Sequence, residues 1–245
     1  MKRRQVLTGI SLAGAGVLLG CRTSSNSTGS ATNDEPRGAA PGELSPVEVG
    51  ATEDLMREHG ILRRALLVYR EAALRLRQDA LSVPPDALEK VATMFRVFGE
   101  DYHEKKLEEV FIFPRLKNSP NPASTYVDAL VAQHARGREI TDYLLEITKA
   151  DKIPSHQIEQ VAKTMESFAR MYDHHAAIED TVIFPAWKSV VGEDQLDEMA
   201  VKFEEIEAQE FGGDGFESAV SRMDEIEKSL GMADLGIFTA PPVSK

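Results

Sequence analysis

A motif that occurs twice in this 245-residue chain constrains its fold more than any other feature. The first copy lies in "YHEKKLEEVFIFPRL" and the second in "HAAIEDTVIFPAW", with Glu108 and Glu179 at equivalent positions 71 residues apart. Histidines precede these glutamates, His103 by five residues and His175 by four. Residues four apart lie on one face of a helix. The repeat therefore predicts two related helices, each presenting a histidine and a carboxylate.

The apolar residues from position 51 to about 190 recur at intervals of three and four, which is typical of amphipathic helices. Breaks at "SVPPDA", "KNSPNPAS" and "ADKIPSH" contain prolines suited to helix starts, and Ser155 is a predicted N-cap. Four helices are predicted near 52–82, 85–116, 123–149 and 155–189. Their short connections favour an antiparallel up-down-up-down four-helix bundle. The fold class is therefore all-α.

A C-terminal extension, 191–245, follows the predicted bundle of residues 51–190. It contains two more predicted helices, near 194–210 and 215–230, on either side of a Gly-Gly-Asp-Gly break. We interpret both as helices that pack against the bundle.

The first 21 residues, "MKRRQVLTGISLAGAGVLLGC", have the basic start and short apolar run of an export signal. Arg3-Arg4 resembles a twin-arginine signal, and the segment that ends at Cys21 resembles a bacterial lipobox, whose cysteine is lipidated after cleavage. Cys21 is the only cysteine in the chain, which favours a role in lipidation. Residues 22–50 are rich in Ser, Gly and Pro and are predicted to be a flexible linker. We expect an exported protein that is lipid-anchored to the bacterial cell envelope, on its periplasmic or outer face.

The chain is acidic, with a formal net charge of −12 that becomes −15 once Lys2, Arg3 and Arg4 are removed with the signal. A strongly acidic protein is repelled by phosphate backbones and by anionic lipid. We therefore expect no nucleic-acid partner, and membrane contact only through the lipid anchor.

Four of the six histidines fall one in each predicted bundle helix: His59, His103, His134 and His175. Together with Glu108 and Glu179 they offer nitrogen and oxygen ligands of the kind that suits iron or manganese. The alternative is that each histidine and glutamate form an ordinary pair on a solvated helix face. The regular placement over four helices favours a metal site, because buried polar groups are costly without a cation.

The other two histidines have simpler interpretations. His156 lies beside a predicted helix start and is expected to be exposed, whereas His174 is expected at the surface or behind the ligands.

The segments "MREHG", "YHEKKLEEVFIFP", "QHARGRE" and "MYDHHAAIEDTVIFPAW" resemble the hemerythrin-like family of HHE cation-binding domains. The resemblance covers residues 51 to about 190 and implies a four-helix bundle that holds a non-haem di-iron centre. It further implies terminal and bridging ligands. The terminal ligands would be His59, His103, His134 and His175, and the bridging ligands Glu108 and Glu179.

The sequence departs from this family pattern at two points. His103 and Glu108 are five residues apart instead of four, so either a π-bulge restores their common face or Glu104 is the ligand in place of His103. We favour His103. Arg138 stands where the oxygen carriers of invertebrates have a further histidine. The resemblance thus implies one iron with fewer nitrogen ligands and more room for O2, NO or peroxide.

Three functions follow from these features. The first, which we favour, is a di-iron lipoprotein that binds or senses O2 or NO or handles oxidants outside the cytoplasm. The second is an enzyme that reduces peroxide or nitric oxide, and the third is an interaction lipoprotein whose bundle the metal holds together. No cysteine cluster, flavin fingerprint or haem motif in the mature chain would supply electrons, which favours binding over turnover. The sequence identifies neither a catalytic residue nor a redox partner.

Overall fold

The computed structural model of this protein describes residues 49–243, which form six helices and no strand. The all-α prediction is therefore confirmed for this part of the chain. The predicted signal with Cys21 and residues 22–48 of the predicted linker lie outside the described residues. Within 49–243 no helix combines the length and the apolar character that crossing a membrane requires.

Each of the six predicted helices is present, and the largest difference in boundary is at the end of the first, which stops at Gln78 and not at 82. Three helices change type along their length, and two of them contain a π-helical segment. Helix α1 is Ala51–Gln78, α5 is Glu193–Phe211 and α6 is Gly215–Ser229. Helix α2 is α-helical over Pro85–Met94, π-helical over Phe95–Ile112 and α-helical again over Phe113–Lys117, and α3 is a 3₁₀ turn, Pro122–Tyr126, followed by the α-helix Val127–Ile147. Helix α4 begins with a 3₁₀ turn, Ser155–Gln157, and continues as α-helix over Ile158–Ile178, π-helix over Glu179–Ile183 and α-helix over Phe184–Val191.

Local residues explain three of the six helix starts. Pro85 occupies the first turn of α2, where its missing N–H has no helical partner in any case. Asn121 accepts a hydrogen bond from the backbone N–H of Ala123 at 2.9 Å before α3. Asp214 caps α6 in the same way. The N-cap prediction for Ser155 is wrong: Ser155 is the first residue of the 3₁₀ turn, and no side-chain cap is found there in the described structure. The preceding residue, Pro154, is the N-cap instead, and its carbonyl accepts from the N–H of Gln157 at 2.8 Å.

Two glycines separate the last three helices. Gly192, between α4 and α5, has φ 85° and ψ 161°, and Gly212, after α5, has φ 70° and ψ 11°. A side chain would be strained in either conformation, so glycine permits both sharp turns.

Cross-helix contacts show that α1 and α4 run antiparallel. Arg63 pairs with Asp180, and Arg77, further along α1, pairs with Glu166, earlier in α4. The same reversal relates α2 to α3: Thr141 donates to Glu100 at 2.5 Å. Further along α2, Glu109 lies 2.8 Å from His134, which precedes Thr141 in α3.

Two glycines allow close approach between neighbouring helices. A methyl group at Gly99 of α2 would lie 3.0 Å from Leu62 of α1, and one at Gly137 of α3 would lie 3.0 Å from the ring of Tyr172 in α4. Such distances are below ordinary van der Waals contact. Glycine at these two positions therefore allows α1 to pack closely against α2, and α3 to pack closely against α4.

The last two helices cover the outside of the first four. In α5, Phe203 stacks on Trp187 with ring centroids 5.9 Å apart, and Phe211 lies edge-on to Tyr102 at 5.1 Å. In α6, Glu227 accepts two hydrogen bonds from Arg64 of α1. Both helices therefore pack as the sequence predicts.

Candidate metal centre

The six predicted ligands lie together in the interior, between α1, α2, α3 and α4. All are buried, and none is more than 2% exposed. Two sets drawn from these six ligands have donor atoms that all lie within 4.8 Å of one another: His59, His103 and Glu108; and Glu108, His134, His175 and Glu179. One ion with bonds of about 2.1 Å spans at most about 4.2 Å between opposite ligands. Small side-chain shifts would therefore close each set on an ion.

The four histidines form two pairs that face the interior through the same ring nitrogen. His59 Nε2 lies 3.0 Å from His103 Nε2, and His134 Nε2 lies 3.1 Å from His175 Nε2. The first pair joins α1 to α2 and the second joins α3 to α4. Each pair thus belongs to one half of the sequence.

The two glutamates lie between the histidine pairs. Each glutamate turns one of its oxygens toward the first pair and the other oxygen toward the second pair. Glu108 Oε1 is 3.5 Å from His103 Nε2 and its Oε2 is 3.4 Å from His134 Nε2. Glu179 Oε2 is 3.4 Å from His59 Nε2 and its Oε1 is 3.0 Å from His175 Nε2. Each carboxylate therefore lies within reach of both histidine pairs.

The outer nitrogen of every ring has an acceptor that orients it. The Nδ1 atoms donate to four side-chain oxygens: His59 to Asp180 at 2.7 Å, His103 to Glu58 at 2.6 Å, His134 to Glu109 at 2.8 Å, and His175 to Gln133 at 2.9 Å. A proton on Nδ1 leaves Nε2 free to coordinate. The surrounding residues therefore select the tautomer that a metal requires.

The carboxylates test whether a cation fits. Glu108 and Glu179 are both fully buried, and none of their four oxygens has a hydrogen-bond partner within residues 49–243. Burial of unpaired carboxylate oxygens is costly unless a cation compensates their charge. Imidazole nitrogens and carboxylate oxygens are the donor set that iron and manganese accept. The residues present therefore fit a pair of such cations.

Protons take the place of cations in the metal-free protein. Burial lowers the pKa of His134, but the nearby carboxylates of Glu104, Glu108 and Glu109 outweigh it and raise the pKa to about 10. Burial is likewise outweighed at His103, where Glu108 and Glu58 raise the pKa well above its ordinary value. Cation binding must therefore displace protons from these rings.

The carboxylates shift in the opposite direction. Burial raises the pKa of Glu179, but His175 and His59 outweigh this and hold it below its ordinary value. The hydrogen bond from His134 is the main reason that the pKa of Glu109 falls to about 2. Both groups are thus ionised at neutral pH, as cation ligands and their acceptors need to be.

The π-helix of α2 resolves the five-residue spacing. A π-helix places residues five apart next to each other, so His103 and Glu108 share a face, as the predicted π-bulge requires. Lys105 and Lys106 point outward, each with 43% of its side chain exposed. The π-helical segment, Phe95–Ile112, is longer than the predicted single turn.

Glu104, the rival ligand, is buried and lies outside these two sets, but together with Glu109 and His134 it forms a third group whose donor atoms lie equally close. Its Oε2 accepts a hydrogen bond from Arg138 at 3.0 Å and lies 3.8 Å from His134 Nδ1, on the outer side of that ring. Arg138 also donates to Glu109 at 2.6 Å. His103 thus faces the interior with the other ligand histidines, whereas Arg138 forms ion pairs with Glu104 and Glu109 on the outer side of His134.

Sequence reasoning missed the four acceptors, although a signal for them was present. Asp180 and Glu109 directly follow the two glutamates of the repeat, and Glu58 and Gln133 directly precede two ligand histidines: His59 and His134, respectively. The phenylalanines of the two Phe-Pro pairs also have a role. Phe184 stacks on His59 and Phe113 on His134, each with centroids 5.4 Å apart. His156 and His174 are both exposed, as expected.

Comparison with known proteins agrees with this geometry. The hemerythrin HHE cation-binding domain matches residues 50–187 and also 125–230. Uncharacterized proteins of Mycobacterium bovis and Mycobacterium tuberculosis are 40% identical to this chain over 239 residues, covering 96% of it and 90% of each relative. No solved structure gives a significant match. By its sequence and by the residues that its helices bring together, the chain belongs to the hemerythrin HHE cation-binding domain family.

Proposed function

We propose that this protein is a non-haem di-iron protein that binds or senses O2 or NO, or handles oxidants, with manganese as the alternative metal. Helices α1 to α4 would form an antiparallel four-helix bundle around the centre. One metal would be held by His59 and His103 and the other by His134 and His175. Glu108 and Glu179 would bridge them.

The observation that carries this proposal is the orientation of the two buried glutamates. Each presents one oxygen to either histidine pair, at 3.0 to 3.5 Å from the nearest Nε2. A single central cation would not need the two oxygens of each glutamate to face different histidine pairs. Two cations bridged by two carboxylates would need this arrangement.

The ligand count supports binding of a small molecule. Each ion would receive two imidazole nitrogens and two carboxylate oxygens, which leaves coordination positions open on iron or manganese. When bound, iron would supply Lewis acidity and redox chemistry at those positions. Because the six ligands are almost completely buried, the space favours a diatomic molecule or peroxide over a larger substrate.

The residues around the centre would keep it closed and ordered. Phe113 and Phe184 cover the histidine rings on which they stack, and the partly exposed pairs Arg63–Asp180 and Arg138–Glu109 separate two of the rings from solvent.

The location that we propose rests on the sequence. The twin-arginine-like start, the lipobox-like ending at Cys21 and the polar residues 22–50 support export followed by lipid anchoring to the cell envelope. Mass spectrometry of the membrane fraction should find a diacylglyceryl-modified N-terminal Cys21. A chain that retains Met1 in the cytoplasm would contradict this part of the proposal.

Metal analysis of the full-length chain, purified in air, tests the function. We expect two iron or manganese ions per chain and an absorption spectrum that changes reversibly when NO or O2 is added to the reduced protein. Sustained peroxide or NO consumption with an added electron donor would instead indicate an enzyme. Bound metal that responds to none of these ligands would leave only the structural role. Fewer than two ions per chain would overturn the di-metal centre.

A further inference from the structure

We propose that Glu58 makes the two metal positions unequal, so that the position held by His59 and His103 binds its cation more tightly than the position held by His134 and His175. This inference rests on the proposed di-metal centre. It assigns Glu58 as a positioning residue that acts through the ring of His103.

The two halves of the centre match closely in most of the side chains behind their histidines, which makes a difference in one pair of acceptors informative. Acidic residues accept from the Nδ1 atoms of His59 and His134, arginines pair with those acids, and phenylalanines stack on both rings. The acceptors on the other two rings are Glu58 for His103 and Gln133 for His175. A carboxylate in the first half thus stands where the second half has a neutral amide.

The carboxylate of Glu58 is well placed to act on the ring. It is 1% exposed, and one oxygen lies 2.6 Å from His103 Nδ1 while the other accepts from the hydroxyl of Tyr102 at 3.1 Å. The corresponding distance from Gln133 to His175 is 2.9 Å. A charged acceptor draws the Nδ1 proton more strongly than an amide and makes Nε2 a better electron donor. The cation on His103 should therefore be bound more tightly.

A second buried acid in the other half, Glu104, does not restore equality. Its nearest oxygen is 3.8 Å from His134 Nδ1, which already donates to Glu109 at 2.8 Å. The charge of Glu104 is also paired with Arg138 at 3.0 Å. Glu104 therefore does not act through the hydrogen bond of a ligand ring, as Glu58 does.

Stepwise titration of the full-length metal-free protein with Mn(II), in competition with a chelator, tests the inference. We expect two binding steps of unequal affinity in the unmodified chain. His103→Ala should remove the tighter step, and His175→Ala should remove the weaker one. Glu58→Gln should weaken the tighter step by about 10- to 100-fold, the usual effect of losing an acceptor behind a ligand histidine.

The reciprocal variants supply the controls. Gln133→Glu should tighten the weaker step, and the double exchange Glu58→Gln with Gln133→Glu should restore two unequal steps with the halves reversed. Glu58→Asp should retain most of the inequality. Glu71→Gln removes a partly exposed charge from the same helix and should leave both steps unchanged.

The outcomes separate this inference from the function on which it rests. The role of Glu58 would be overturned by two steps of equal affinity in the unmodified chain. It would also be overturned by a Glu58→Gln variant that melts at a lower temperature yet keeps both affinities. Either result would leave the di-metal centre standing. Binding of fewer than two ions by the unmodified chain would overturn the centre itself.

Discussion

The two copies of the carboxylate motif bring the same side chains to the centre along different backbone paths. In α4, Glu179 follows His175 by four residues of α-helix, and a short π-helical segment, Glu179–Ile183, begins only at the glutamate. In α2, Glu108 follows His103 by five residues within a π-helix of 18 residues. Both copies end in the same way. The backbone N–H of Phe113 donates to the carbonyl of Glu108, and that of Phe184 donates to the carbonyl of Glu179, in each case five residues back.

The comparison shows that side-chain position, and not helix type, is the shared property of the two copies. A π-helical turn is rare and is frequently found at functional sites. The prolines that follow, Pro114 and Pro185, lack an N–H and clash with the carbonyl four residues earlier in a regular helix. A π-helical turn before each proline therefore relieves the clash of the proline with the backbone. It also agrees with the position of both turns at the candidate metal centre.

The largest expected effect comes from removing the shared carboxylate of either copy. Glu108→Ala and Glu179→Ala should each abolish binding of the metal pair, because each glutamate serves both positions. The rise in melting temperature on adding Mn(II) should disappear as well, since a cation at 100 times its Kd stabilises the folded state by about 2.7 kcal/mol. Metal analysis and thermal melts of both variants measure this.

The matched control for these variants is the exposed His156. His156→Ala should retain both metal content and melting temperature. Equal metal content in all three variants would contradict the shared role of the two copies and leave a purely structural bundle.

A dependence on pH should be the next largest effect. In the metal-free protein the pKa of His134 is about 10, above its ordinary value of 6.5, so the protonated ring contributes stability below pH 6.5 that is lost as the pH rises through 10. A cation competes with this proton. Metal affinity should therefore fall as the pH is lowered from 9 to 6, by up to about tenfold per pH unit for each proton displaced.

Titrations with Mn(II) at several pH values, with a dye that reports proton release, measure this competition. Affinity that stays constant over this range, with no protons released, would show that the rings of both halves are already unprotonated without metal.

Deletion of Lys106 should have a smaller effect and directly tests the difference between the two copies. The deletion gives "YHEKLEE", in which histidine and glutamate are four apart as in α4, so a regular helix would present both inward. We expect two metals per chain and a slight loss of stability from the missing partly exposed pair with Glu210. Lys106→Ala is the control for that pair. Metal loss as severe as in Glu108→Ala would instead move the ligand of α2 to Glu104.

Glu104→Gln should have the smallest effect on the centre. Burial, reinforced by Glu100 and Glu108, raises the pKa of Glu104 to about 7 despite His134 and Arg138. The ionised carboxylate therefore destabilises the fold increasingly as the pH rises from 4.5 through 7, at most by about 3 kcal/mol. The variant should keep both metals and gain stability over the unmodified protein at pH 8 more than at pH 5. Denaturant unfolding at the two pH values measures the gain, and loss of a metal would contradict it.

Much of the molecule could be predicted because the relevant rules are local. The intervals between apolar residues predicted every helix, and the extra residue between His103 and Glu108 predicted a π-turn, since both depend only on the rise and rotation of neighbouring residues. The prediction of an N-cap at Ser155 was wrong because the same local pattern permits a 3₁₀ turn that begins at this residue. The length of the π-helix in α2 could not be predicted either, because it follows from contacts along the entire helix.

The sequence by itself determined the inventory of this centre: four histidines and two glutamates, spaced so that helices place them at similar depth. Only the tertiary structure decided which ring nitrogen faces the interior. The acceptor of His59 Nδ1 is 121 residues away at Asp180, and that of His103 Nδ1 is 45 residues away at Glu58. A helix sets the direction of its own side chains, but the hydrogen bond that selects a tautomer comes from the neighbouring helix, and packing alone brings the two together.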